Sequence, residues 1–143
     1  CQNFGEMLTL DNINNLTGIT IGRVDLVGSM GLGRDAINKS PKVLDLCKDI
    51  FSKSKSKGFK TAMGGGISAE AFPVIQELNN NNLIDKYETR KVVFPASSVS
   101  FGKKSVLKAV EFELLWLKSK RRYYSGIKQE DEKRIEMIEQ RLK

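Results

Sequence analysis

A chain of 143 residues, 40% hydrophobic and 29% charged, suits one soluble globular domain with a core of its own. It contains no histidine, so a Ser-His-Asp triad, a Cys-His dyad and a His-ligated zinc site are excluded from within the chain. Its formal net charge of +7 favours anionic partners without choosing among nucleic acid, an acidic membrane and small carboxylates or phosphates.

From the N-terminus, Cys1-Gln2-Asn3-Phe4 carries neither the basic stretch nor the apolar block of a signal peptide. No later apolar run approaches the ~20 residues of a membrane span. We therefore expect a cytoplasmic protein with no membrane partner. The first residue is not Met, which suggests a processed or partial sequence. Phe4 to Leu10 reads as the end of a helix, closed by the polar stretch Asp11 to Asn15. Leu16-Thr17-Gly18-Ile19-Thr20-Ile21 is rich in β-branched residues and reads as a strand ended by Gly22. A loop containing Gly28, Gly31 and Gly33 follows.

Ser40-Pro41 places an N-cap and a first-turn proline before a helix whose buried face is Val43, Leu44, Leu46, Cys47, Ile50 and Phe51. Cys1 and Cys47 are too few for a disulfide framework, and Cys47 reads as a small core hydrophobe. Gly58 closes the helix, and Phe59 to Met63 is the next strand. Gly64-Gly65-Gly66 ends that strand, and Ala69 to Leu78 is helical with Pro73 in or near its first turn. Tyr87 to Phe94 reads as a third strand, stopped by Pro95. Strands alternating with helices imply βαβ units and an α/β fold with a parallel sheet, in a doubly wound form or as part of a barrel. Lys103 to Tyr124 reads as a long amphipathic helix, broken at Ser125-Gly126-Ile127-Lys128, with a short helix from Glu130 to Lys143. Together these form a helical hairpin suited to an oligomer contact.

Both candidate architectures bind ligands at the carboxyl ends of their strands. Here those ends are Gly22–Asp25, Gly64–Gly66 and Phe94–Ser98. Asp25 follows a strand in a glycine turn, where it serves either a ligand or the turn itself. Gly64-Gly65-Gly66-Ile67-Ser68 before a helix offers backbone amides to an anion. It is equally a tight turn with Ser68 as cap, and no Gly-Lys-Ser/Thr follows to make it a P-loop. Glu88 and Arg90 share a face under strand alternation and read as an ion pair below the site or as a contact to a neighbouring subunit, the structural role being favoured. Lys118, Lys120, Arg121, Arg122, Tyr123 and Tyr124 cluster where a helix is expected to end. There the helix dipole favours cations, and the tyrosines would pack on the hairpin. The cluster also supports an alternative function, a non-enzymatic basic interaction protein that binds nucleic acid or another anionic partner.

The run Gly18-Ile19-Thr20-Ile21-Gly22-Arg23-Val24-Asp25-Leu26-Val27-Gly28-Ser29-Met30-Gly31-Leu32 resembles the signature of the HpcH/HpaI aldolase and citrate lyase β-subunit family. That signature is a strand, then Gly-Pro-x-Asp-Leu, a few small residues and Leu-Gly. Gly22, Asp25, Leu26, Ser29 and Gly31 fall in register; Arg23 replaces Pro, and Met30 stands where Leu is usual.

The resemblance implies that residues 1–102 are the C-terminal part of a (β/α)8 TIM-type barrel, holding its last three strands, with the hairpin at 103–143. It implies a homo-oligomeric carbon–carbon lyase or aldolase dependent on Mg²⁺ or Mn²⁺. The substrate would be a small carboxylate, pyruvate- or oxaloacetate-like, or an acyl-CoA thioester, reacting through a metal-stabilised enolate. Asp25 inherits the role of metal ligand. The amides of Gly22, Arg23, Val24 and Asp25 would hold the substrate carboxylate, with Gly64 and Gly65 lining the site. Arg23 would stand beside the anionic substrate, alter which substrate fits, or be an exposed loop residue paired with Asp35. The family's second ligand, a Glu, is expected upstream of Cys1, and Glu6 is no substitute for it. The family's catalytic acid–base groups fall outside these residues too, so none is assigned here.

Overall fold

A computed structural model describes residues 3–141, which divide into two units, Cys1–Ala109 and Val110–Lys143. In the first unit, a single turn of helix, α1 (Phe4–Met7), and a 3₁₀ turn (Ile13–Asn15) lead into β1 (Gly18–Gly22). The short helices α2 (Arg23–Ser29) and α3 (Ala36–Lys39) precede the 16-residue α4 (Pro41–Ser56). Strand β2 (Lys60–Gly64), a 3₁₀ turn (Ala69–Ala71) and α5 (Phe72–Asn80) follow. Then come β3 (Lys86–Glu88), β4 (Val93–Pro95) and a last 3₁₀ segment (Ala96–Phe101).

Local chemistry accounts for the central crossovers. Ser40 takes the extended N-cap conformation and Pro41 opens α4, where its missing N–H costs no intrahelical bond. Val43, Cys47, Ile50, Phe51 and Ser54 then recur on one face and are buried. Ser54 satisfies its buried hydroxyl on the Ile50 carbonyl at 2.7 Å. Gly58, at φ +82°, supplies the left-handed turn that sends the chain into β2. Pro73 sits in the first turn of α5, and Phe72, Ile75 and Leu78 form that helix's buried side.

The sheet order is β1-β2-β3-β4. β1 and β2 are parallel, as are β2 and β3, while β3 and β4 are antiparallel. Ile21, Met63 and Tyr87 share one core with Cys47 and Phe51 of α4 and Ile75 and Leu78 of α5. Both crossover helices therefore cover the same face of the sheet. Thr61, also on that face, donates to the Leu83 carbonyl at 2.7 Å, and its amide donates to Asp85 at 2.7 Å. This ties the start of β2 to the approach to β3.

Two expectations are corrected. The third strand is not continuous from Tyr87 to Phe94: the chain reverses at Thr89–Val92, and Tyr87 stacks on Phe94 across the hairpin with ring centroids 4.9 Å apart. Thr89 makes the turn, its amide donating to the Val92 carbonyl while its hydroxyl accepts from the Val92 amide. The described residues thus form an open, mixed four-stranded α/β sheet rather than a closed barrel.

The second correction concerns the C-terminal hairpin. Its described residues instead form one helix, α6 (Lys103–Arg141), of 39 residues, whose Val106 and Ala109 are buried in the first unit, while Leu142 and Lys143 at the end of the expected second helix lie outside the described residues. One glycine in a helix interior costs roughly 0.5–1 kcal/mol relative to alanine, too little to break a long helix. The flanking residues are accommodated in the helix: the Ser125 hydroxyl donates back to the Arg121 carbonyl at 2.8 Å, and Lys128 pairs with Glu132 at 3.6 Å one turn on. Among the described residues, no helix is long and apolar enough to cross a membrane.

Candidate functional site

The pleat turns the residues that alternate with Ile21, Met63 and Tyr87 to the face without crossover helices. At the carboxyl ends of the parallel strands these are Gly22, Gly64 and Glu88. Gly22 and Gly64 are register partners, and Glu88 is next after the pair Met63 and Tyr87. With no side chain at either glycine, two carboxylates lean into the space. A Cβ at Gly22 would stand 2.9 Å from Asp25 Oδ2, and one at Gly64 would stand 3.3 Å from Glu88 Oε1. Asp25 lies in the first turn of α2, which begins directly after Gly22. The sequence-predicted Gly22, Asp25 and Gly64 therefore come together at one end of the sheet, joined by Glu88, which strand alternation alone had paired with Arg90. That pairing is corrected. The reversal at Thr89 ends the alternation, and no ion pair joins Glu88 to Arg90 among the described residues.

Gly65 explains how the two strand ends fit together. It adopts φ +77°, and a Cβ there would stand 2.7 Å from the backbone nitrogens of both Arg23 and Val24. The backbone of the triple-glycine loop thus lies directly against the start of α2, an approach that only glycine permits. Val24 is half-buried and packs on the main core.

Arg23 departs from expectation. Its side chain is 0% exposed and does not pair with Asp35. Nη1 donates to the Ile37 carbonyl at 3.2 Å and to Asn38 Oδ1 at 2.9 Å, and Nη2 donates to the Gly66 carbonyl at 3.2 Å. Burial lowers its pKa to about 10, partly opposed by neighbouring Cys47, so it stays a cation at neutral pH. The same burial raises the Cys47 thiol to about 11, against the pull of Arg23, and keeps it protonated. Arg23 therefore clamps α2 to the end of α3 and to the glycine loop. The expected cation beside an open substrate site is instead turned into the protein, because it finds three acceptors there and no carboxylate.

Asp25 also borders an open cleft of about 520 Å³ that follows β1, lined by Phe4, Met7, Ile19, Leu26, Ser29 and Ile50 among others. Among the described residues no strand pairs with the outer edge of β1. Nor do any three His, Cys, Asp or Glu residues cluster as a metal-binding group among them. Asp25, in the helical turn after β1, and Glu88, at the end of β3, lie either side of β2 and carry the oxygen donors that a hard divalent ion such as Mg²⁺ takes, one or two at a time beside several waters. Comparison of the chain with protein-family models, with curated proteins and with solved structures finds no match.

Proposed function

We propose that this chain carries part of the active site of a divalent-metal-dependent carbon–carbon lyase or aldolase, built on a segment of a (β/α) barrel. The observation that carries the reading is the pair Asp25 and Glu88, set over Gly22 and Gly64 at the carboxyl ends of adjacent parallel strands. Three further features support it. The parallel β1-β2-β3 order with both crossover helices on one face supports a barrel wall over a doubly wound sheet, which covers both faces; β4, antiparallel on the far edge of β3, stands outside such a wall. The outer edge of β1 is where such a wall would continue. The run Gly18 to Leu32 resembles the HpcH/HpaI aldolase and citrate lyase β-subunit signature.

In this reading Asp25 and Glu88 hold Mg²⁺ or Mn²⁺. When bound, the ion supplies Lewis-acid polarisation to a carbonyl of a pyruvate-, oxaloacetate- or acyl-CoA-like substrate. Glycines 22 and 64 keep the space between the carboxylates open. Arg23 and Gly65 hold α2 and the glycine loop in register, so that Asp25 projects to the same end of the sheet as Glu88.

The test is Mn²⁺ binding followed by electron paramagnetic resonance, together with pyruvate release from oxaloacetate and 4-hydroxy-2-oxo acids. Asp25→Asn and Glu88→Gln are each expected to weaken Mn²⁺ binding at least tenfold and to lower metal-dependent turnover further. Unchanged Mn²⁺ affinity in both variants would sink the proposal. The second reading, a basic interaction protein, draws on Lys118, Lys120, Arg121 and Arg122, all exposed. Salt-dependent binding of a nucleic acid that persists in Asp25→Ala would favour it.

A further inference from the structure

From Val110 to Arg141, α6 leaves every described residue exposed except Glu113, which is partly so. Of the twelve large apolar residues exposed between 110 and 141, six fall on one stripe, with three charged residues in its middle. Val110, Leu114, Leu117, Arg121, Tyr124, Lys128, Asp131, Ile135 and Ile138 follow one another in alternating steps of four and three, the spacing of a coiled-coil seam. Leu114, Leu117, Tyr124, Ile135 and Ile138 on this seam are 50%, 47%, 56%, 55% and 42% exposed. The stripe is apolar at both ends and charged in its middle, and a partner can bury its half-exposed apolar ends only if it also answers those charges.

We propose that the seam pairs with that of a second copy of the chain, as an antiparallel two-stranded coiled coil centred level with Gly126. The pattern is self-complementary in this orientation. Leu114 meets Ile138 of the second copy and Leu117 meets its Ile135, so apolar layers close both ends. Arg121 meets Asp131 of the second copy, turning two buried charges of opposite sign toward each other. Tyr124 meets its Lys128, a cation placed beside an aromatic ring. Each layer occurs twice by symmetry. A parallel pair in register would instead stack Arg121 on Arg121, Lys128 on Lys128 and Asp131 on Asp131, placing three like-charge layers in the middle of the seam. The flanking charges are mixed: Lys118 falls beside Glu132 and Glu113 beside Arg141, but Lys120 falls beside Arg134. The core layers therefore decide the orientation. This pairing specifies the homo-oligomer expected from the sequence and is independent of the lyase reading.

Sedimentation equilibrium of the full chain at micromolar concentration is expected to give a dimer or a multiple of it; a monomer overturns the proposal. Orientation is read from cysteine cross-linking in a Cys1→Ser background, with buried Cys47 left in place. Leu114→Cys mixed with Ile138→Cys is expected to form a covalent heterodimer under mild oxidation, while Leu114→Cys alone does not self-cross-link. Efficient self-cross-linking of Leu114→Cys, or none in the mixture, overturns the antiparallel register. Arg121→Asp is expected to weaken self-association at least tenfold, and Arg121→Asp combined with Asp131→Arg to restore it. Both positions lie on an exposed helix surface, and circular dichroism of each variant checks that the helix is retained. A single substitution without effect, or a double one without rescue, also overturns the pairing.

Discussion

In Cys1–Ala109, Phe51, Met63, Ile75, Leu78 and Tyr87 are fully buried, whereas from Val110 onward Leu114, Leu115, Leu117 and Ile135 stand about half exposed. The two regions are close in kind of residue and opposite in what they do with them. The first draws its order from burial: β1, β2 and β3 meet only because α4 and α5 lay their apolar faces on one side of the sheet. The second takes its order from helical hydrogen bonds and short-range pairs such as Lys128 with Glu132. In this region the polar backbone is satisfied within the helix and the apolar surface is not. Apolar residues in the first region are accordingly expected to act on stability, and those on the proposed seam of the second on association.

The comparison can be broken most directly by truncating one residue in each region. Phe51→Ala opens the centre of the core and is expected to cost about 3–5 kcal/mol of unfolding free energy. Leu115→Ala, at a position 58% exposed and off the proposed seam, is expected to cost less than about 0.5 kcal/mol. Urea unfolding monitored by circular dichroism measures both, and similar losses would show that the helix hides its apolar face as thoroughly as the sheet does.

A smaller effect probes the backbone contact behind the candidate site. Gly65→Ala must hold a left-handed backbone at about 1–2 kcal/mol and move two amide nitrogens as well. A total loss of about 2–3 kcal/mol is expected, with Mn²⁺ binding weakened because α2 carries Asp25. Unaltered stability would mean that the loop and α2 are not in contact.

Asp85 sharpens the comparison through pH. Burial pushes its pKa up, but the ammonium of Lys55 at 2.7 Å and the Thr61 amide and hydroxyl outweigh this, and the net pKa is lowered. A carboxyl whose pKa is lower in the folded state contributes stability above its unfolded pKa of ~3.9 and loses it as pH falls through the folded value. The wild type is therefore expected to exceed Asp85→Asn by about 1–2 kcal/mol at pH 7. The two should converge in acid, as measured by urea unfolding at stepped pH. A constant difference at all pH values would remove the carboxylate from the account.

These regions also differ in how much of them was legible beforehand. β1, α4, β2 and α5 follow from short-range signals: β-branched runs, Ser40-Pro41, Gly58 and an apolar stripe at helical spacing. The β3–β4 hairpin was missed because its reversal contains no glycine, proline or asparagine and rests on Thr89 bonding to its own turn. Asp25 and the glycines were legible from the turn at 22–25 and the triple glycine. Glu88 was not, since it joins Asp25 only through the parallel register of strands far apart in sequence. The burial of Arg23 is hidden from the sequence for the same reason: its three acceptors, on Ile37, Asn38 and Gly66, lie 14 to 43 residues away. In the second region, Ser125-Gly126 carries the chemistry of a turn, and only the surrounding helix overrides it.

That override supplies the smallest and most discriminating measurement. Gly126 lies inside α6 with no side chain to contribute and does not adopt a positive φ. A Cβ added there meets nothing within 4 Å. Gly126→Ala is therefore expected to stabilise the helix by about 0.5–1 kcal/mol, because alanine loses less backbone entropy and strains nothing. In a hairpin the same glycine would stand at the turn with a left-handed backbone, and alanine would destabilise by at least as much. The sign of the change in thermal midpoint, read by circular dichroism at 222 nm, separates the two. A rise is what one continuous helix requires. It also bears on the pairing of two chains, since a seam running from Leu114 to Ile138 exists only if the helix passes unbroken through Gly126.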